Sequence, residues 1–376
     1  MRINSTQAWL PTCGFMLAFL TGCIPAPQRP PGEPAAQAHA MIDAALPINI
    51  RDRNGWAQDL YSVFSALDIT ATDEHICAVI AVTQQESGMS VDPVVPGLAR
   101  IAWRQIDQDA AHAGIPSSVV HEVLRLKSPD GRTYQQRVDT ARTEQDLSRI
   151  YEDFTGSIPL GRSLFASWNP IRTRGPMQVS VAFARKFVAV RRYPYAHTVS
   201  LDDELFTRRG SLYFGTAHLL AYSAPYDSYL YRFADYNAGQ FASRNAAFQH
   251  ALSMAAGVAV VPDGALVVPA APLSQPSDTE RAARKLAPQL RLDKAQIHAA
   301  LLQDRDASFQ DTQLYRRVFE LAARAGVQNP PRASVPRITL QGPKLHTRLT
   351  TAWYAQRVQG RFEQCLARGR QKYALR

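Results

Sequence analysis

No stretch of this chain has the spacing of a zinc finger, a P-loop or an HExxH helix, and its nine histidines are scattered. Those absences remove the sequence grounds for a structural zinc site, a P-loop nucleotide hydrolase and a zinc protease, so no metal and no cofactor is expected. Beyond the N-terminus no apolar run is long enough to cross a bilayer, which excludes a bundle of membrane-spanning helices. No internal repeat is visible, which argues against a solenoid. Cysteine is scarce, with four in 376 residues. Acidic residues are also in deficit, 32 against 42 Lys and Arg, for a formal net charge of +10. That balance favours anionic surroundings. What remains is an ordinary globular composition, 46% hydrophobic and 20% charged, in a chain able to bury a large core as one elaborated domain or two small ones.

The N-terminus narrows the compartment. Residues 1–22 place Arg2 before the apolar run Phe15-Met16-Leu17-Ala18-Phe19-Leu20, which is too short to span and reads as the core of a secretory signal. Leu20-Thr21-Gly22-Cys23 then resembles the lipobox of bacterial lipoproteins. The resemblance implies cleavage before Cys23 and lipid on that residue, and Ile24, in place of the Asp that retains such proteins at the inner membrane, implies sorting to the outer membrane. Which face of that membrane the protein occupies stays open. Export turns the positive charge toward peptidoglycan and lipopolysaccharide phosphates rather than nucleic acid. It also leaves two cysteines in an oxidising compartment, Cys77 and Cys365. A disulfide between them is expected, tying the helix of Glu86 to the C-terminal helix; two separate buried thiols are the alternative.

After the signal, residues 23–50 read as the lipidated cysteine and a tether, since the prolines between 24 and 38 remove donors and fix φ. Trp56, Leu60, Val63, Phe64 and Leu67 recur at helical spacing. Thr70 with Asp73 has the form of a capping box, opening a helix over Asp73–Ser87 that Gly88 ends. A polar, proline-interrupted stretch over about 91–168 suggests short amphipathic helices around Val119–Leu126 and Leu147–Phe154. Helices are expected near 180–190, 209–223, 227–235 and 239–256. Val258–Val268 reads as a β-hairpin turning at Asp263-Gly264. A linker and three helical stretches follow, giving a mainly α class with minor β.

Three motifs carry the chemistry: Glu86-Ser87 at the end of an apolar helix, Gly175-Pro176-Met177-Gln178-Val179, and Ala234-Asp235-Tyr236-Asn237-Ala238-Gly239. In this order they resemble the Glu-Ser, Gly-Leu-Met-Gln and Ala-Tyr-Asn-Ala-Gly motifs of lysozyme-like murein lytic transglycosylases. Gly210–Tyr222 looks like the helix before the last motif, and the chain as a whole is similar to the YaiW-type outer-membrane lipoproteins. The transglycosylase resemblance covers about a quarter of the chain. It implies a lysozyme-like domain over 51–256 with an insertion at about 91–168, and a region 257–376 of hairpin, linker and helical extension packed on it. Nearly ninety residues separate the first two motifs, far more than in that family, and Pro176 stands where leucine is usual.

The resemblance also implies a role for each residue. A glycosidic oxygen leaves only if protonated as its bond breaks, whereas an unperturbed Glu, with a pKa of about 4.3, has mostly lost its proton near neutrality. Val79 and Val82, seven and four residues before Glu86, would supply an apolar wall that keeps the acid neutral. Glu86 would then serve as the single acid/base, and attack by the 6-hydroxyl of the N-acetylmuramoyl unit would yield a 1,6-anhydro sugar. Ser87, Gln178, Tyr236 and Asn237 would bind or orient the sugar, and Met177 would pack. The bland readings are a capping or ion-paired Glu86, a plain turn at Gln178, core packing at Tyr236, and a solvated face for the C-terminal arginines. A non-catalytic module that binds glycan, lipopolysaccharide or peptide through the same cleft is the rival from another class.

Overall fold

In a computed structural model, residues 35–158, 169, 171–196, 200–326, 328–340, 342 and 347–374 are described. The signal segment and Cys23 lie outside them. So does the proline-rich run as far as Pro34, but the remainder of the expected tether does not stay extended. Ala35–Ala45 forms α1, with Ile42 and Ala45 in the core. The helical face read from Trp56 to Leu67 is buried on α2, Arg53–Leu67.

Helix α3 spans Asp73–Ser87, as expected. Its cap is a correction: Thr72 rather than Thr70 accepts the His75 amide, at 3.1 Å, while the carbonyl of Thr70 meets the His75 ring instead. Every residue from Ile76 to Thr83 is buried, the signature of a helix walled on all sides. Those walls are α1, the helix Arg208–Leu220 and the helix Thr351–Ala374. Gly88 ends α3 in the left-handed region, at φ 63°.

The stretch read as an insertion folds as α4 (Leu98–His112), α5 (Ser117–Val123), α6 (Tyr134–Thr140) and α7 (Glu144–Ser157). These close on a small core of Leu98, Leu124, Tyr134, Val138, Leu147 and Ile150. After it, β1 (Thr173–Arg174) and β2 (Val179–Ser180) pair antiparallel around Gly175–Gln178. They are followed by α8 (Val181–Val190), α9 (Leu201–Glu204), α10 (Arg208–Leu220), α11 (Tyr229–Ala238) and α12 (Ala242–Ala256). The mainly α class therefore holds, but the minor β lies at the second motif.

The hairpin expected over Val258–Val268 does not form. Its backbone groups are claimed by side chains of α12. Gln249 Oε1 accepts the Gly264 amide at 2.7 Å, Gln249 Nε2 donates to the Ala265 carbonyl, and Asn245 Nδ2 donates to the Gly264 carbonyl. A segment whose backbone groups are satisfied this way has no need of a partner strand. Beyond it, α13 (Asp278–Lys285), α14 (Ala287–Leu290), α15 (Lys294–Leu301) and α16 (Gln313–Arg324) join the far side of α12 in a second core around Phe248, Leu252, Phe309, Val318 and Phe319. Helix α17, Thr351–Ala374, returns to the first core through Tyr354, Val358, Phe362 and Cys365. Among the described residues no helix is long and apolar enough to cross a membrane.

Candidate active site

The end of α3 is assembled from four remote parts of the chain. Glu86 is half-buried, with Val82 and Val79 fully buried one and two turns behind it. The Tyr354 hydroxyl, on α17, donates to Glu86 Oε1 at 2.5 Å. Thr351, also on α17, donates from Oγ1 to Asn237 Oδ1 at 2.8 Å. Tyr236, one residue earlier on α11, donates its hydroxyl to the Met177 carbonyl at 2.7 Å. Glu86, Tyr236, Tyr354 and the Gly175–Gln178 turn thus meet. Burial pushes the hydroxyls of Tyr236 and Tyr354 well above the usual phenol range, and the charge of Glu86 adds to this. Both stay protonated donors.

The turn is held by shape. Gly175 has φ 72°, and a Cβ there would run into the Leu205 carbonyl and Ser211. Met177 is fully buried against α10, its amide donating to Ser211 Oγ at 3.0 Å, and a side chain at Gly215 would collide with its sulfur. Met177 therefore packs, as expected, and Gly210-Ser211…Gly215 is the surface that receives it.

Gln178 sits in the left-handed region at φ 51°, and its amide is gripped at both ends. Thr173 Oγ1 donates to Oε1 at 2.9 Å, and Nε2 donates to Glu144 Oε2 at 2.8 Å. Glu144 opens α7, so the insertion is joined to the second motif. Ser87 is turned back along its own helix, donating to the Thr83 carbonyl at 3.0 Å.

Asp235, inside the third motif, is 1% exposed and accepts from four donors: the amides of Phe241 and Ser243 and the hydroxyls of Tyr222 and Tyr226. Burial pushes its carboxyl up to about 6, against the pull of those bonds. Its work is structural, since it fixes the α11–α12 corner that presents Tyr236 and Asn237. Behind Tyr236 stands His218, edge-on to the rings of Phe183 and Tyr236. Its Nε2 lies 3.3 Å from the Tyr236 carbonyl, and its Nδ1 is buried with no partner among the described residues. Burial lowers its pKa to about 4, so the ring is neutral near neutrality.

The disulfide between Cys77 and Cys365 is present, with Cα atoms 5.5 Å apart, and closes a separation of 288 residues. Sequence reasoning missed Tyr354, although that bond contained the signal. Helices clamped at residues 77 and 365 and running antiparallel bring positions about 9 residues up one beside those about 11 residues down the other, at 1.5 Å rise per residue. Glu86 and Tyr354 are those positions.

Fold and site together define a mainly helical protein in which a buried helix, clamped by a disulfide to the C-terminal helix, delivers one carboxylate among tyrosines. The chain belongs to the family described as protein of unknown function DUF1615, which matches residues 49–368. It is 43% identical over 365 residues to the protein described as uncharacterized protein YaiW of Escherichia coli strain K12, covering 97% of this chain and 99% of that one. No solved structure matches it.

Proposed function

We propose that this protein is an outer-membrane lipoprotein, anchored by lipid on Cys23, whose lysozyme-like domain cleaves the bond between N-acetylmuramic acid and N-acetylglucosamine in peptidoglycan. The observation that supports the reading is the meeting of Glu86 with Tyr236 and the Met177–Gln178 turn at the end of a helix whose residues Ile76–Thr83 are all buried. Three motifs far apart in sequence thereby share one place.

In this reading Glu86 gives its proton to the glycosidic oxygen as the bond to the anomeric carbon breaks. It then takes the proton of the 6-hydroxyl as that oxygen attacks the same carbon. No net proton is consumed, no water is added, and the product is a 1,6-anhydro sugar. Tyr354 holds the carboxyl in place while it is charged. Gln178 and Asn237 line the groove and orient the acetamido groups.

One set of contacts favours the rival, a glycan-binding module without turnover. The Tyr354 hydroxyl occupies Glu86 Oε1, Thr351 occupies Asn237, and Glu144 with Thr173 occupies Gln178. A substrate must displace these partners or use the remaining lone pairs. Digestion of purified sacculi separates the two readings. Release of anhydro-muropeptides by the native protein but not by Glu86→Gln supports the enzyme, whereas sedimentation with intact sacculi and no release from either supports the binder.

A further inference from the structure

The C-terminal arginines are not simply a solvated face. Helix α17 runs antiparallel along α3 so that Tyr354 reaches Glu86 and, two turns on, Arg361 donates from Nε to Gln85 Oε1 at 3.1 Å. Between them lies Arg357, its guanidinium 5.7 Å from the ring of Trp353. Among the described residues neither Arg357 nor Arg361 has an acidic partner. They stand close enough that burial first, and the charge of Arg357 second, depress the basicity of Arg361. Trp353 is 37% exposed, the largest of the exposed apolar side chains among the described residues. An exposed indole with one guanidinium beside it and a second further along the same helix, neither paired with a carboxylate among the described residues, offers apolar and positive groups together, a surface complementary to a ring-bearing anionic ligand.

We propose that Trp353, Arg357 and Arg361 form a subsite for a glycan strand whose lactyl or peptide substituents carry free carboxylates. The indole takes the apolar face of a sugar ring, and the two guanidinium groups take the carboxylates in charge-assisted hydrogen bonds. The proposal rests on the glycan reading of the Glu86 groove and assigns which strands enter it.

The test measures binding of the full chain, purified in detergent, to peptidoglycan strands and to the same strands with their carboxyl groups converted to amides. Native strands should bind about tenfold more tightly. Arg357→Gln with Arg361→Gln should abolish that preference without changing the melting temperature, Arg357→Lys should keep part of it, and Trp353→Ala should weaken both ligands alike. Equal affinity for the two strands, or a preference that survives the double arginine variant, overturns the subsite. So does stronger displacement by lipopolysaccharide micelles than by strands, which would assign the patch to phosphate. If no anhydro product forms but the arginines still control the preference, the cleavage reading falls and the subsite stands.

Discussion

The two hydrophobic cores are built in opposite ways. The second, around Phe248, Leu252, Phe309 and Phe319, comes from helices that follow one another between residues 242 and 324. The first joins α1, α2, α3, α10 and α11 to α17, and its ties run from Cys77 to Cys365 and from Glu86 to Tyr354. Local contacts thus make a satellite, and the longest-range contacts make the candidate site. The region after residue 257 is therefore two things: a cluster built on α12 as far as α16, and a final helix that packs along α3 and reaches Glu86.

Breaking the long tie should have the largest effect. Cys365→Ser removes a crosslink whose loop the chain-entropy model values at about 6 kcal/mol, an upper figure because crosslinks commonly deliver less. Chemical denaturation should show a loss of several kcal/mol, together with loss of whatever glycan binding Tyr354 and Trp353 support. In the satellite, Phe309→Ala should cost about 4 kcal/mol by cavity formation. Below the melting temperature it should leave glycan binding unchanged, since Phe309 packs on Phe248 and Tyr315 rather than on α3. Loss of binding in that variant would erase the distinction between the two cores.

The pH response should separate them as well. His218 belongs to the first core, and its folded pKa, about 4, lies below its ordinary value of 6.5. As pH falls below about 6.5 the unfolded chain takes up a proton that the folded chain refuses. The contribution of His218 is lost progressively down to about pH 4, by up to about 3 kcal/mol, while Asp235, raised to about 6 by burial, acts in the opposite direction over much of the same range. His218→Phe should flatten that limb in urea titrations at pH 7 and pH 4.5, and an unchanged slope would rule the assignment out. The smallest stability effect belongs to Tyr354→Phe. It removes one hydroxyl donor and should cost about 1 kcal/mol while disturbing sacculus cleavage far more than folding. A variant with unaltered cleavage would make Tyr354 mere packing.

Much of this was legible because it is local. Helix α3 showed itself through an unbroken apolar run between Asp73 and Gly88, and the three motifs stood in order along the chain. Two cysteines left in a chain read as exported implied their bond, which the structure contains. The failures are equally physical. Thr70 and Thr72 both precede the helix, and only the backbone conformation decides which one caps it. The valines of 258–268 gave a strand pattern, but Asn245 and Gln249 had already taken the backbone groups that a hairpin would pair. Tyr354 lies 268 residues from Glu86, a contact that no periodicity reports and to which only the Cys77–Cys365 bond pointed. Glu144 hid within an insertion that carries no motif, yet it grips Gln178.

The most direct measurement is the mass of the product end when a purified peptidoglycan strand is incubated with the native protein and with Glu86→Gln. The account predicts N-acetylmuramoyl ends lighter by one water, formed by the native protein alone. Ordinary reducing ends, or anhydro ends formed equally by both proteins, would contradict it.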